Sequence, residues 1–160
     1  MTTPATTTPT TPTAPPVNGR VIALAHYAAR AALETVLTRY DLTFQQSVTL
    51  RVVAIADGPV AREEVVDQVV DSLKIDAAEV RGVLDELATA ELLAAVDRPA
   101  EPGLVAITDV GREVYARTTT ETSVISARIY AGIPAEDLAV AGRVLDLVTE
   151  RANAELAAAR

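Results

Sequence analysis

Two short apolar runs, Leu92–Val96 and Leu104–Ile107, flank the loop Asp97-Arg98-Pro99-Ala100-Glu101-Pro102-Gly103, in a chain that elsewhere spaces its apolar residues as helices do. Strand-length runs on either side of a Pro/Gly loop read as a β-hairpin. A lone hairpin is marginal in water and has to pack on something, so the segments before it decide the fold. Thr43 opens the first of them as an N-cap, with Gln46 three residues on as in a capping box; Val48, Val52 and Ile55 follow at helical spacing up to Asp57-Gly58-Pro59. The second runs from Arg62 to Leu73 around Val65, Val66, Val69 and Val70. Asp76 caps the third, Ala77 to about Ala90, whose inward positions are Val80, Val83, Leu84 and Leu87. Three short helices followed by a hairpin are the order of a winged helix-turn-helix.

Longer helices frame this unit. Asn18 caps a stretch without Pro or Gly, Arg20 to Tyr40, in which Val21, Leu24, Ala25, Ala28, Ala32, Val36 and Tyr40 share a face. Thr108 caps another that runs through a Thr-rich stretch, Arg117–Ser123, towards Tyr130. After the turn Gly132-Ile133-Pro134 a last helix carries Leu138, Ala141, Leu145, Val148, Ala152 and Leu156 on one side. Apolar stripes of this length must be buried, and packing them on one another and on a second copy of the chain is the simplest way. The expected fold is therefore mainly α: a winged helix-turn-helix over 42–108 with long N- and C-terminal dimerisation helices over 18–41 and 109–160. Residues 1–17 hold eight Thr, five Pro and no charged side chain; so little apolar bulk predicts a disordered tail.

Composition narrows the function. At 160 residues one folded domain, 18–160, is expected. There is no Cys and His26 is the only His, which removes thiolate chemistry and multi-histidine metal sites. No Gly-rich phosphate loop or nucleophile elbow is present. The chain reads as a non-enzyme with no cofactor and no metal. Its longest uncharged apolar run, Val21–Ala29, is too short to span a bilayer. No secretory signal is visible, so a cytoplasmic protein without a membrane partner is expected. The 14 basic and 22 acidic residues give a net charge of −8, which argues against DNA binding by bulk charge.

Five pieces resemble the MarR (multiple antibiotic resistance regulator) family: Leu42-Thr43-x-x-Gln46, Val80 through Leu87, Leu92-Leu93, Ile107-Thr108-Asp109-Val110-Gly111-Arg112, and Ile133-Pro134-Ala135-Glu136-Asp137-Leu138. Together they cover about residues 20–158. The resemblance implies a homodimeric, DNA-binding transcriptional regulator. Terminal helices would form the dimer, the helix around Arg81 would enter a major groove of double-stranded DNA, and the wing a minor groove. On that reading Arg81 contacts base edges or phosphate, Arg98 serves the wing, and Arg62, Lys74 and Arg112 contact phosphate. The resemblance also implies release from DNA by a small anionic or aromatic effector. His26, Tyr27, Arg30 and Tyr40 are the candidates to line its pocket, with Arg30 one helical turn beyond His26; the plainer reading makes His26 and Tyr27 interface or core residues.

The sequence also departs from the family pattern. Arg81-Gly82 stands where Thr-Arg is usual, Glu86 where Arg is frequent, Glu91 where a Gly usually ends the recognition helix, and Asp97-Arg98 where the wing commonly has Asp-x-Arg. From Arg51 to Arg98 five basic residues face eleven acids. Two readings stay open: a ligand-responsive DNA-binding regulator, or a MarR-like dimer with weakened DNA binding that acts as a ligand-sensing or protein-interaction module. A turn of different shape is expected at Glu91.

Overall fold

A computed structural model of the chain describes residues 16–96 and 102–159. The Thr/Pro-rich tail lies outside these residues apart from its last two positions, and so does the hairpin tip 97–101 with Arg98.

Helix α1 spans Gly19–Leu37, and the Asn18 side chain accepts hydrogen bonds from the backbone N–H groups of Arg20 and Val21 at its start. The helix stops short of the expected Tyr40: Thr38–Tyr40 tighten into a 3-10 turn, Asp41 turns left-handed at φ 54°, and the Leu42 N–H reaches back to the Leu37 carbonyl. Helix α2, Phe44–Ala54, opens on the complete Thr43/Gln46 capping box. Strand β1, Val60–Ala61, precedes α3, Arg62–Leu73, and α4, Ala77–Thr89, which Asp76 caps through the Ala78 N–H. Strands β2, Leu93–Val96, and β3, Leu104–Ile107, form the hairpin; α5, Asp109–Tyr130, and α6, Ala135–Ala158, complete the chain.

The sheet has three strands, not the two the sequence suggests. Its order is β1-β3-β2, antiparallel throughout, with Val60 opposite Val105 and Leu93 opposite Ile107. Strand β1 escapes a sequence reading because two residues cannot show alternation. Its pairing, extended by an Arg62 N–H bond to the Gly103 carbonyl, fixes the start of α3 against the hairpin.

One core holds the unit together. Val65, Val66 and Val69 of α3 and Val80, Val83, Leu84 and Leu87 of α4 bury the faces their spacing assigns. Helix α2 differs. It buries Thr49, Leu50 and Val53, while Ile55, expected on its inner stripe, stays exposed. The reason is that α2 is covered from several directions, by α1, α3, α4, α5 and β3, so no single stripe marks its buried side.

The hairpin is tied tightly to α5. Thr108 caps α5 by accepting from the Gly111 N–H at 2.9 Å, and its own N–H donates to the Leu92 carbonyl at 3.1 Å. Gly111 presses on the same carbonyl: a Cβ there would run into the Leu92 oxygen and the Ile107 side chain. The Thr-rich middle of α5 is helical throughout, and Thr118, Thr120, Thr122 and Ser123 turn their hydroxyls back onto carbonyls three or four residues earlier. Helix α6 lies largely uncovered, with Val140 50%, Leu145 44%, Leu147 45% and Leu156 49% exposed.

Candidate functional site

Helix α4 is the outward element of the winged unit. With its valines and leucines turned in, it presents Ala78, Glu79, Arg81, Gly82, Asp85 and Glu86 to solvent. A left-handed Lys74, φ 56°, and the Asp76 cap make the turn that sets α4 across α3. At its far end Glu91 is left-handed too, φ 59°, with the Leu92 N–H bonded to the Leu87 carbonyl and the Glu91 N–H to that of Ala88. That is a complete Schellman turn. The different shape expected from the missing glycine does not occur, because buried Leu87 and Leu92 close the motif around a strained Glu91.

The charged side chains on this face are held by one another. Arg81 grips Glu63 of α3 at two points, Nη2 to Oε2 at 2.6 Å and Nε to Oε1 at 3.2 Å. Arg62, the residue before Glu63, donates from Nη2 to Asp85 Oδ1 at 2.8 Å and to the Arg81 carbonyl at 2.9 Å. Gln46 of α2 donates to Glu86 Oε2 at 2.8 Å. The hydrogen bond from Arg81 and the charge behind it hold the Glu63 carboxyl below its usual range, and Glu63 in turn raises Arg81. Lys74 pairs with Asp71 at 2.8 Å, whose carboxyl it lowers, and Arg112 lies 3.7 Å from Asp109. All four cations expected at DNA within the described residues, Arg62, Lys74, Arg81 and Arg112, thus stand beside a carboxylate.

Behind this surface a cavity of about 400 Å3 opens between α1, α2 and α5, lined among others by Leu33, Leu37, Phe44, Val48, Arg51 and Tyr115. Thr119 and Thr122 belong both to it and to a second space of about 420 Å3 that continues along α1 and α5 to Tyr130. The four residues expected at a ligand are not gathered there. His26 and Tyr27 stand exposed on α1, their rings edge to face with centroids 5.5 Å apart. Arg30 pairs with Glu34 and lies 4.5 Å over the ring of Phe44, a cavity-wall residue. Tyr40 sits elsewhere, donating to Glu121 Oε1 of α5 at 2.5 Å while Arg39 holds Oε2. That hydrogen bond, helped by partial burial, raises the Tyr40 phenol above its ordinary value. Sequence reasoning missed Phe44, Arg51 and Tyr115. The only signal for them is an aromatic at the start of α2 and an Arg two turns later, which becomes legible once α5 is known to cross both.

No family model and no curated protein matches the sequence. Solved structures do match its shape. A MarR-family transcriptional regulator from Rhodococcus sp. RHA1 superposes with a TM-score of 0.69 at 18% identity, over 82% of this chain and 92% of that one. The fold is that of the MarR family. CouR from Rhodococcus jostii RHA1, bound to p-coumaroyl-CoA, superposes with a TM-score of 0.68 at 18% identity, over 82% of this chain and 90% of CouR. BpsR of Bordetella bronchiseptica, whose DNA binding is regulated by 6-hydroxynicotinic acid, superposes with a TM-score of 0.64 at 26% identity, over 81% of this chain and 91% of BpsR. Among the described residues no helix of this MarR-like chain is long and apolar enough to cross a membrane.

Proposed function

We propose that the chain is a homodimeric DNA-binding transcriptional regulator and not an enzyme, working in the cytoplasm. The observation that carries this reading is the placement of α4, exposed between α3 and a three-stranded wing, on a MarR-family fold. Arg81 would serve the major groove, Arg98 the wing, and Arg62, Lys74 and Arg112 the phosphates. Dimerisation would bury the apolar residues left open on α1 and α6, including Leu24, Tyr27, Leu145 and Val148, and hold two α4 helices at a fixed separation, as half-site recognition needs.

A small effector fits this reading. The cavity wall is largely apolar, with Phe44 and Tyr115 for stacking, the Thr119 hydroxyl for a hydrogen bond and Arg51 as a cation. That set suits a flat aromatic or acyl group with an anionic end. Arg30, above Phe44, is the member of the expected quartet that reaches the cavity wall, while His26 and Tyr27 fit better at the subunit interface. The ligands of CouR and BpsR, p-coumaroyl-CoA and 6-hydroxynicotinic acid, are of this general chemistry.

The ion-paired arginines of α3 and α4 favour a second reading, a MarR-like dimer with weakened DNA binding that senses a ligand or binds a protein. Titration of the dimer with the duplex that flanks its own gene separates the two. Binding that weakens steeply with salt and disappears in Arg81→Ala supports the regulator; no binding at micromolar protein supports the second reading. A panel of small aromatic acids in a thermal-shift assay tests the effector, and an unmoved melting temperature across the panel removes it.

A further inference from the structure

The cross-helix pairs on α3 and α4 do more than fasten two helices. They are interleaved: Arg62 of α3 reaches Asp85 of α4, while its neighbour Glu63 holds Arg81, one turn away on α4. The Arg62 guanidinium also donates to the Arg81 backbone carbonyl, which fixes the stretch of α4 from which Arg81 projects. Glu63 engages Arg81 through Nε and one Nη, one of the two edges of the guanidinium that can match a carboxylate or a phosphate bidentately. The Nη1 donors on the far side are not used by Glu63. The face of the protein best placed for DNA therefore carries an arginine with one of its phosphate-binding edges occupied and its charge compensated.

We propose that Glu63 governs the DNA affinity of this protein by pairing with Arg81, compensating its charge and holding one of its two bidentate edges away from phosphate. This rests on the regulator reading above. An exposed ion pair is weak in water, so it does not bar the approach of DNA. It cancels one cation in the electrostatic sum that drives sequence-independent binding. Each phosphate neutralised by a side chain releases counterions and adds about 0.9 to the slope of log affinity against log salt. With Glu63 neutralised, Arg81 regains that contribution. Glu64 supplies the control. It lies in the same first turn of α3 and carries the same charge, but its hydrogen bond is to Gln68 and its carboxylate does not hold Arg81.

The test compares the wild type, Glu63→Gln, Glu64→Gln, Arg81→Ala and the double variant Glu63→Gln/Arg81→Ala. Each is titrated with a mixed-sequence duplex of roughly 30 base pairs, long enough for two half-sites, and with the duplex flanking the gene, over a range of salt. Thermal unfolding confirms that each variant is folded. Glu63→Gln is expected to bind both duplexes more tightly and to steepen the salt slope by about 2, about 0.9 for the Arg81 of each subunit, so that its affinity falls roughly twelvefold more than the wild type's over a fourfold rise in salt. Glu64→Gln is expected to leave the slope unchanged, and adding Arg81→Ala to abolish the gain. Equal slopes for Glu63→Gln and Glu64→Gln, or a gain that survives Arg81→Ala, overturns the proposal and leaves the regulator reading in place. Failure of the wild type and Glu63→Gln alike to bind either duplex overturns both.

Discussion

Two glycine-related positions in this chain behave in opposite ways. Gly111 is helical, where alanine would ordinarily be the better residue by roughly 1 kcal/mol, yet a Cβ there meets the Leu92 carbonyl and Ile107. Gly111→Ala is expected to destabilise the protein by about 1–3 kcal/mol, as overpacking does, read as a lower urea midpoint. Glu91 is the reverse case: a side chain in a left-handed position, φ 59°, where a glycine is the usual resident. Glu91→Gly relieves that strain, offset in part by the freedom a glycine has when unfolded, and is expected to stabilise by about 0.5–1 kcal/mol. A melting temperature that rises with Gly111→Ala or falls with Glu91→Gly would contradict the contacts described for each.

At the scale of elements, α1 and α5 are tied near the end of α1 by Tyr40 and Arg39 on Glu121. The folded Tyr40 phenol holds its proton above the ordinary tyrosine value of about 10, chiefly through its bond to Glu121. The unfolded chain then releases that proton first as pH rises. The tie contributes stability in full below about pH 10 and loses it as pH climbs through the folded value. Phenolate absorbance is expected to show a late-titrating component that is lost in Tyr40→Phe; a titration curve whose late end is unchanged in that variant would refute it. This tie was invisible in the sequence, since 81 residues separate its partners. Caps and one-sided helices were legible: Asn18, Thr43, Asp76 and Thr108 each cap where their spacing indicates, and α3 and α4 bury the valines and leucines their period assigns. Local chemistry fixes those features. The inner face of α2, the short β1 and the residues lining the cavity depend on what crosses α2 from elsewhere in the chain, and no window of sequence carries that. The charge balance around α4 was readable as an excess of acid, but not as specific pairs, because Glu63 and Arg81 meet only through the angle between two helices.

For the whole molecule, the uncovered apolar side chains of α6 make the proposed dimer a matter of arithmetic. At about 25 cal/mol per Å2 of apolar area removed from water, pairing of two such helices with their mates on α1 would favour association, less the cost of ordering two chains. Light scattering is expected to give twice the 16.8 kDa of one chain, and Leu145→Glu to shift it towards a single chain; an unmoved mass in that variant would place the interface elsewhere. Within the chain, the Leu92 carbonyl is where the end of α4, the root of the hairpin and the first turn of α5 converge, and Gly111 leaves no gap between them. The far side of α5 forms a wall of the cavity through Tyr115, Thr118, Thr119 and Thr122. If the proposed effector tilts α5 by wedging against that wall, the wing is expected to turn with it, as the short arm of a lever swings the long one.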